Sequence, residues 1–129
     1  MVKQSFIDLA VEESSKGDHK QKVGCIIFYK KRILSKGHNS SQKSIKNLHP
    51  KFQKYRFSVH AEVDAIIKAK TDLKGSSLLV IRINKDKQFR LSKPCQTCLK
   101  YIEHVGIKKI FYSISNFPYI TTFNKEEKP

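Results

Sequence analysis

The segment Ser77–Ile83 reads Ser-Leu-Leu-Val-Ile-Arg-Ile, a nearly continuous apolar run. Such a run is expected of a strand buried on both faces, which requires covering elements above and below it. Helical periods flank it. Val59, Val63, Ile66 and Ile67 repeat at the spacing of a helix face, so a helix is predicted from about His60 to near Gly75. Leu99, Ile102 and Val105 give a second helix from about Cys95, with Gly106 as its C′ residue and a strand over residues 107–114 beyond it.

The N-terminal third supplies the remaining layer. Ser5 with Asp8 has the form of a capping box, and Phe6, Leu9 and Ala10 make an apolar face running toward Gly17. Lys22–Tyr29 and residues 32–36 read as a hairpin broken by Lys30 and Lys31. Residues 84–93 read as a polar, basic loop ending in Pro94, and residues 125–129 as a frayed tail. Fifteen residues follow Ile114, too few for a crossover helix and a further parallel strand. Residues 115–118 are therefore predicted as a turn and residues 119–123 as a returning antiparallel strand. The expected fold is a single α/β domain over residues 1–129: three layers, α/β/α, around a mixed sheet of about five strands.

Composition narrows the function classes. No stretch resembles a secretory leader, and no run reaches the roughly 18 apolar residues of a membrane span, so a soluble, cytoplasmic protein without a membrane partner is expected. Three cysteines, two of them in Cys95-Gln96-Thr97-Cys98, suggest metal or redox chemistry rather than a disulfide framework. Cys25 lies in an apolar strand and reads as a core residue, while His19, His38, His49 and His104 read as surface or loop residues. The formal charge of +15 is large for 129 residues. All but four of the 26 basic residues are lysine, which fits a solvated surface as well as a polyanion footprint.

Two motifs carry the chemistry. His60-Ala61-Glu62 opens one predicted helix and Pro94-Cys95-Gln96-Thr97-Cys98 the next. Cys95 and Cys98, three apart, share a helix face and can reach one tetrahedral zinc ion. His60 and Glu62 would diverge in mid-helix, but at a helix end they can converge on a point just beyond it. Helix N-termini contribute partial positive charge and unpaired N–H groups, which favour thiolate. One His and two Cys leave a fourth position for water, the open coordination of a catalytic site with one zinc per chain. Glu62 is then the group to move protons.

Histidine-x-glutamate followed by Pro-Cys-x-x-Cys resembles both halves of the motif of the cytidine deaminase superfamily. Gly37-His38-Asn39 after the second predicted strand resembles its G-x-N, and the order of elements is similar along nearly the whole chain. The resemblance implies hydrolytic attack on an amidine carbon, C4 of cytosine or C6 of adenine, with loss of ammonia. It further implies that Asn39 meets the substrate's sugar and the backbone of Ala61 meets the base. The C-terminal hairpin points to the branch that holds free-nucleoside and several bacterial polynucleotide deaminases. His60, in place of a cysteine ligand, departs from the usual free-cytidine enzymes.

Residues 40–59 set Phe52, Tyr55, Arg56 and Phe57 among lysines, the mixture that single-stranded nucleic acid binding uses. The function expected is zinc-dependent hydrolysis of cytosine to uracil, with single-stranded DNA or RNA favoured as the carrier of the base. Free (deoxy)cytidine, its nucleotide, and adenine in nucleic acid are the alternatives. A zinc-containing nucleic-acid-binding module is the non-enzymatic reading, and it would need a fourth protein ligand. Oligomeric state is left open.

Overall fold

The computed structural model describes residues 2–16, 22–39 and 60–123. Its elements run α1 (Gln4–Ser14), β1 (Lys22–Tyr29), β2 (Arg32–His38), α2 (Ala61–Lys68), β3 (Ser77–Ile83), β4 (Phe89–Arg90), α3 (Gln96–His104), β5 (Lys109–Ser113) and β6 (Ile120–Thr122). The strands form one mixed sheet ordered β2-β1-β3-β5-β6, with β4 beside the end of β3. β3 and β5 are parallel; every other pair is antiparallel. The final pair joins Phe111 to Thr122 and Ser113 to Ile120, which is the hairpin ending predicted.

Period-two alternation assigns the two faces. Ile26 and Phe28 of β1 join Leu79, Ile81 and Ile83 of β3 beneath Phe6 and Ala10 of α1. Cys25 and Ile27 join Leu78 and Val80 beneath Ala61, Ala65 and Ile66 of α2 and Cys98 and Ile102 of α3. β3 is thus covered on both sides, as its apolar run requires. Cys25 is fully buried, and burial raises its thiol pKa well above the ordinary value, so it is a core residue.

Two glycines set the spacing between layers. A Cβ on Gly24 would strike the Ala10 carbonyl of α1, and one on Gly37 would strike the Ala65 amide of α2. Each helix therefore lies closer to its strand than any side chain would permit.

Several boundaries differ from the sequence reading. The N-cap of α1 is Lys3, without a side-chain cap, so the capping box at Ser5 and Asp8 does not form. Asp8 is engaged instead by the Gln4 amide, 2.9 Å away and one turn earlier. α2 stops at Lys68 rather than near Gly75, because Ala69 turns extended and the chain drops Leu73 into the core. The Asp72 carboxylate then accepts the Lys74 N–H at 3.0 Å, a local bond that competes with helix. The 84–93 segment is not wholly loop: Arg82 pairs with Arg90 and Ile83 with Phe89, making six strands where about five were expected. The hairpin tip is closed locally, the Asn84 N–H bonding the Gln88 carbonyl and the Lys87 N–H the Asn84 carbonyl, both at 3.0 Å.

Candidate metal centre

His60 is the N-cap of α2 and Cys95 the N-cap of α3, so both motifs sit at helix starts. Pro94 falls one position before that cap, not inside the helix. Cys98 lies in the first turn of α3 and faces Cys95 across it. The His60 Nδ1 is 3.1 Å from the Cys98 sulfur and 3.8 Å from the Cys95 sulfur. All three ligand atoms lie within 4.8 Å of one another.

That set fits zinc. At bond lengths of about 2.0–2.3 Å, tetrahedral coordination separates nitrogen and sulfur ligands by about 3.6 Å, between the two distances found. The protonation pattern agrees. Hydrogen bonds from Cys98 and His60 pull the Cys95 thiol down to about 3, while its bond to Cys95 and its burial push Cys98 up. The pair thus holds one negative charge where two would repel. His60 lies nearer Cys98, yet its pKa is raised chiefly by the hydrogen bond with Cys95, the sulfur that carries the charge. A dication between them would let the second thiol ionise as well. Among the described residues the cluster has three members, with no fourth His, Cys or carboxylate joining it.

Glu62 is buried at 5 % exposure, two residues into α2. Burial raises its carboxyl pKa, opposed by its own backbone N–H, the His60 charge and a hydrogen bond with Cys98. The carboxyl is thus buried beside Cys98 but outside the three-residue cluster. Ala61 is fully buried between His60 and Glu62.

Polar bonds fix α2 on β2. The Ser35 hydroxyl donates to the Ala65 carbonyl at 2.6 Å, and the Asp64 carboxylate accepts the His38 N–H at 3.0 Å while pairing with Lys68. Asn39 follows at once, its N–H donating to the Val23 carbonyl at 3.3 Å and its Oδ1 accepting the Val23 N–H at 3.1 Å. Asn39 is thereby held at the end of β2, on the sheet face that carries α2.

His38 is not the loose loop residue expected. Its Nδ1 meets the Glu13 carboxylate at 2.8 Å, and Lys16 meets the other Glu13 oxygen at 3.0 Å. The sequence did hold a signal for this pair. Glu13 falls seven residues after Phe6, on the buried stripe of α1, where a carboxylate requires partners. His104 is exposed and stacks on Tyr101 at 6.5 Å.

A further polar knot anchors the approach to Cys95. Ser92 donates its N–H to the Ser113 carbonyl at 3.0 Å and its hydroxyl lies 2.8 Å from the Val80 carbonyl. Nothing in the spacing of Ser92 and Ser113 announces it. Phe52, Tyr55, Arg56 and Phe57, proposed from the sequence as nucleic-acid contacts, lie outside the described residues, as does His49.

No helix among the described residues is long and apolar enough to cross a membrane. Residues 1–114 match the family described as the cytidine and deoxycytidylate deaminase zinc-binding region. No curated protein is matched at a significant level. Among solved structures, dCMP deaminase from the cyanophage S-TIM5 in apo form is similar at 23 % identity, covering 88 % of this chain and 86 % of that one, with a TM-score of 0.56. The same enzyme in complex with dCMP and dUMP is similar at 21 % identity over 88 % of this chain and 85 % of that one, with a TM-score of 0.54. A mutant cytidine deaminase from Mycobacterium tuberculosis gives a TM-score of 0.59 at 12 % identity, covering 95 % and 92 % of the two chains.

Proposed function

The chain belongs to the cytidine and deoxycytidylate deaminase zinc-binding family and is a zinc-dependent deaminase; from that premise we propose that it hydrolyses cytosine to uracil and ammonia, with His60, Cys95 and Cys98 as zinc ligands and Glu62 as the proton carrier. The observation that carries this reading is the convergence of the three ligand atoms within 4.8 Å beside a buried carboxyl that is not one of them. Zinc in such a site supplies Lewis acidity that makes water a competent nucleophile at neutral pH. Glu62 carries the two protons of the attacking water in turn, the first to the ring nitrogen as the C–O bond forms and the second to the leaving amine as the C–N bond breaks. The Ala61 N–H, at the first position of α2 and without an intrahelical partner, is offered to the base. Asn39, its oxygen bonded to β1, addresses the sugar chiefly through its amide donor.

The carrier of the base is the finer part of the reading. The net charge of +15 supports a polynucleotide. A nucleotide is favoured by the likeness to a deaminase that holds dCMP and dUMP. Purified protein given deoxycytidine, dCMP, adenosine, single-stranded DNA and RNA in parallel, with uracil and ammonia read out, tests both levels. Uracil release with one zinc per chain is expected, the metal being lost when Cys95 and Cys98 both become Ala. Full zinc occupancy in that double variant removes the metal site. If single-stranded DNA and RNA bind no better than deoxycytidine at low salt, or binding ignores salt, the polynucleotide reading fails.

A further inference from the structure

The register of the sheet brings two arginines into the row that ends at Asn39. Asn39 bonds Val23 of β1, Val23 is opposite Arg82 of β3, and Arg82 is opposite Arg90 of β4. Val23 packs in the core beneath α2 and α3, and Phe89 packs on the opposite face with α1. By alternation, Asn39, Val23, Arg82 and Arg90 share the face that carries the metal centre. Neighbouring strands are about 4.8 Å apart, so Arg82 starts about 10 Å from Asn39, within reach of one nucleotide and one arginine side chain.

Two like charges directly opposite on neighbouring strands repel each other. The Ser113 hydroxyl nevertheless fixes them together, accepting the Arg82 N–H at 3.0 Å and donating to the Arg90 carbonyl at 2.6 Å. Arg82 Nε is buried and has no hydrogen-bond partner among the described residues. Among the described residues no carboxylate forms an ion pair with either guanidinium. A buried guanidinium N–H left unsatisfied is costly, and a guanidinium pair is the geometry that grips phosphate oxygens.

We propose that Arg82 and Arg90 form a phosphate subsite beside Asn39, so that the substrate is a cytidine bearing a phosphate on its sugar. This rests on the deaminase reading and on Asn39 lying against the sugar. The shared chemistry is the phosphate, whether the 5′-monoester of a free nucleotide or a diester of a polynucleotide.

The test compares Arg82→Gln, Arg90→Gln and Arg82→Lys with the wild-type zinc-loaded chain on deoxycytidine, dCMP and a single-stranded oligodeoxynucleotide containing one cytidine. Turnover is read as kcat and KM separately, and binding of dUMP and deoxyuridine by calorimetry. The preference for the phosphorylated over the unphosphorylated ligand is expected to fall roughly ten-fold or more in each Gln variant, in KM and in dUMP affinity, with partial recovery in Arg82→Lys. A loss confined to dCMP identifies a monoester, and one that includes the oligonucleotide identifies a diester; either supports the subsite. Arg90 is exposed, so its variant carries the test if Arg82→Gln does not fold. An unchanged preference in Arg90→Gln, or equal losses for deoxycytidine and dCMP, overturns the proposal. Absence of uracil from every substrate is the separate failure of the deaminase reading, and the binding comparison still decides the subsite.

Discussion

The two faces of the sheet are built from the same strands for opposite ends. Beneath α1, Ile26, Phe28, Leu79, Ile81 and Ile83 meet Phe6 and Ala10 in an apolar contact, with Phe6 and Phe28 rings 4.8 Å apart. Beneath α2 and α3 the core is interrupted: Glu62, Asp64 and Cys98 are buried there, and the helix starts turn toward one point. The first face mainly holds apolar area out of water, its buried Glu13 carboxylate lying at the end of α1 against His38 and Lys16, whereas the second spends the middle of its interior on groups whose burial is unfavourable. Stability and chemistry are thus separated across a single layer of backbone.

The separation can be broken most severely at Glu62. Glu62→Ala is expected to lower kcat by roughly 10²–10⁴-fold while zinc content and melting temperature are kept, since it removes the proposed proton carrier and an unfavourably buried carboxyl. A variant that keeps its turnover removes the mechanism. On the other face, Leu79→Ala should cost about 2–5 kcal/mol in denaturant unfolding, with kcat per folded molecule preserved. A specific fall in kcat there would show that the two faces are coupled.

Gly37 lies where the two roles meet. Gly37→Ala places a methyl against the backbone of α2, and about 1–3 kcal/mol of lost stability should come with reduced turnover as α2 lifts from β2. If only stability falls, α2 is free to shift without moving its ligands.

The smallest effect expected is at Glu13. Burial pushes its carboxyl up, but hydrogen bonds from His38 and Lys16, with their charges, outweigh it and leave its pKa below the ordinary 4.5. A depressed folded pKa contributes stability above the unfolded value, and that stability is lost as pH falls through the folded one. Glu13→Gln should therefore cost about 1–3 kcal/mol at neutral pH, the difference closing as pH drops from about 4.5 downward. A difference that does not change across that range would show that the carboxylate charge contributes nothing.

How much of this could be read from the residues divides along physical lines. β3 was legible residue for residue because its apolar run has one solution in a chain of this size. His60, Cys95 and Cys98 were legible because metal chemistry fixes residue type and spacing, and helix starts announce themselves. β4 was hidden because a two-residue strand has no period; its pairing comes from Phe89 reaching the α1 face. The end of α2 was missed because Leu73, five residues after Lys68, is drawn into the core by tertiary contact rather than by a local stop signal. The knot of Ser92 and Ser113 joins residues 21 apart through hydroxyls, and local patterns carry nothing of that kind.

The turn closed by Asn84 has a practical consequence. Its side-chain oxygen accepts the N–H groups of Asp86 and Gln88, both at 2.9 Å, while Lys85, Asp86 and Lys87 face solvent. Among the described residues the tip is therefore tied to itself and not to the helices, and its two stems run straight into Arg82 and Arg90. On the zinc-loaded chain, where the metal would shield the exposed Cys95, a fluorophore attached through Asp86→Cys would report from the end of the hairpin that carries both arginines.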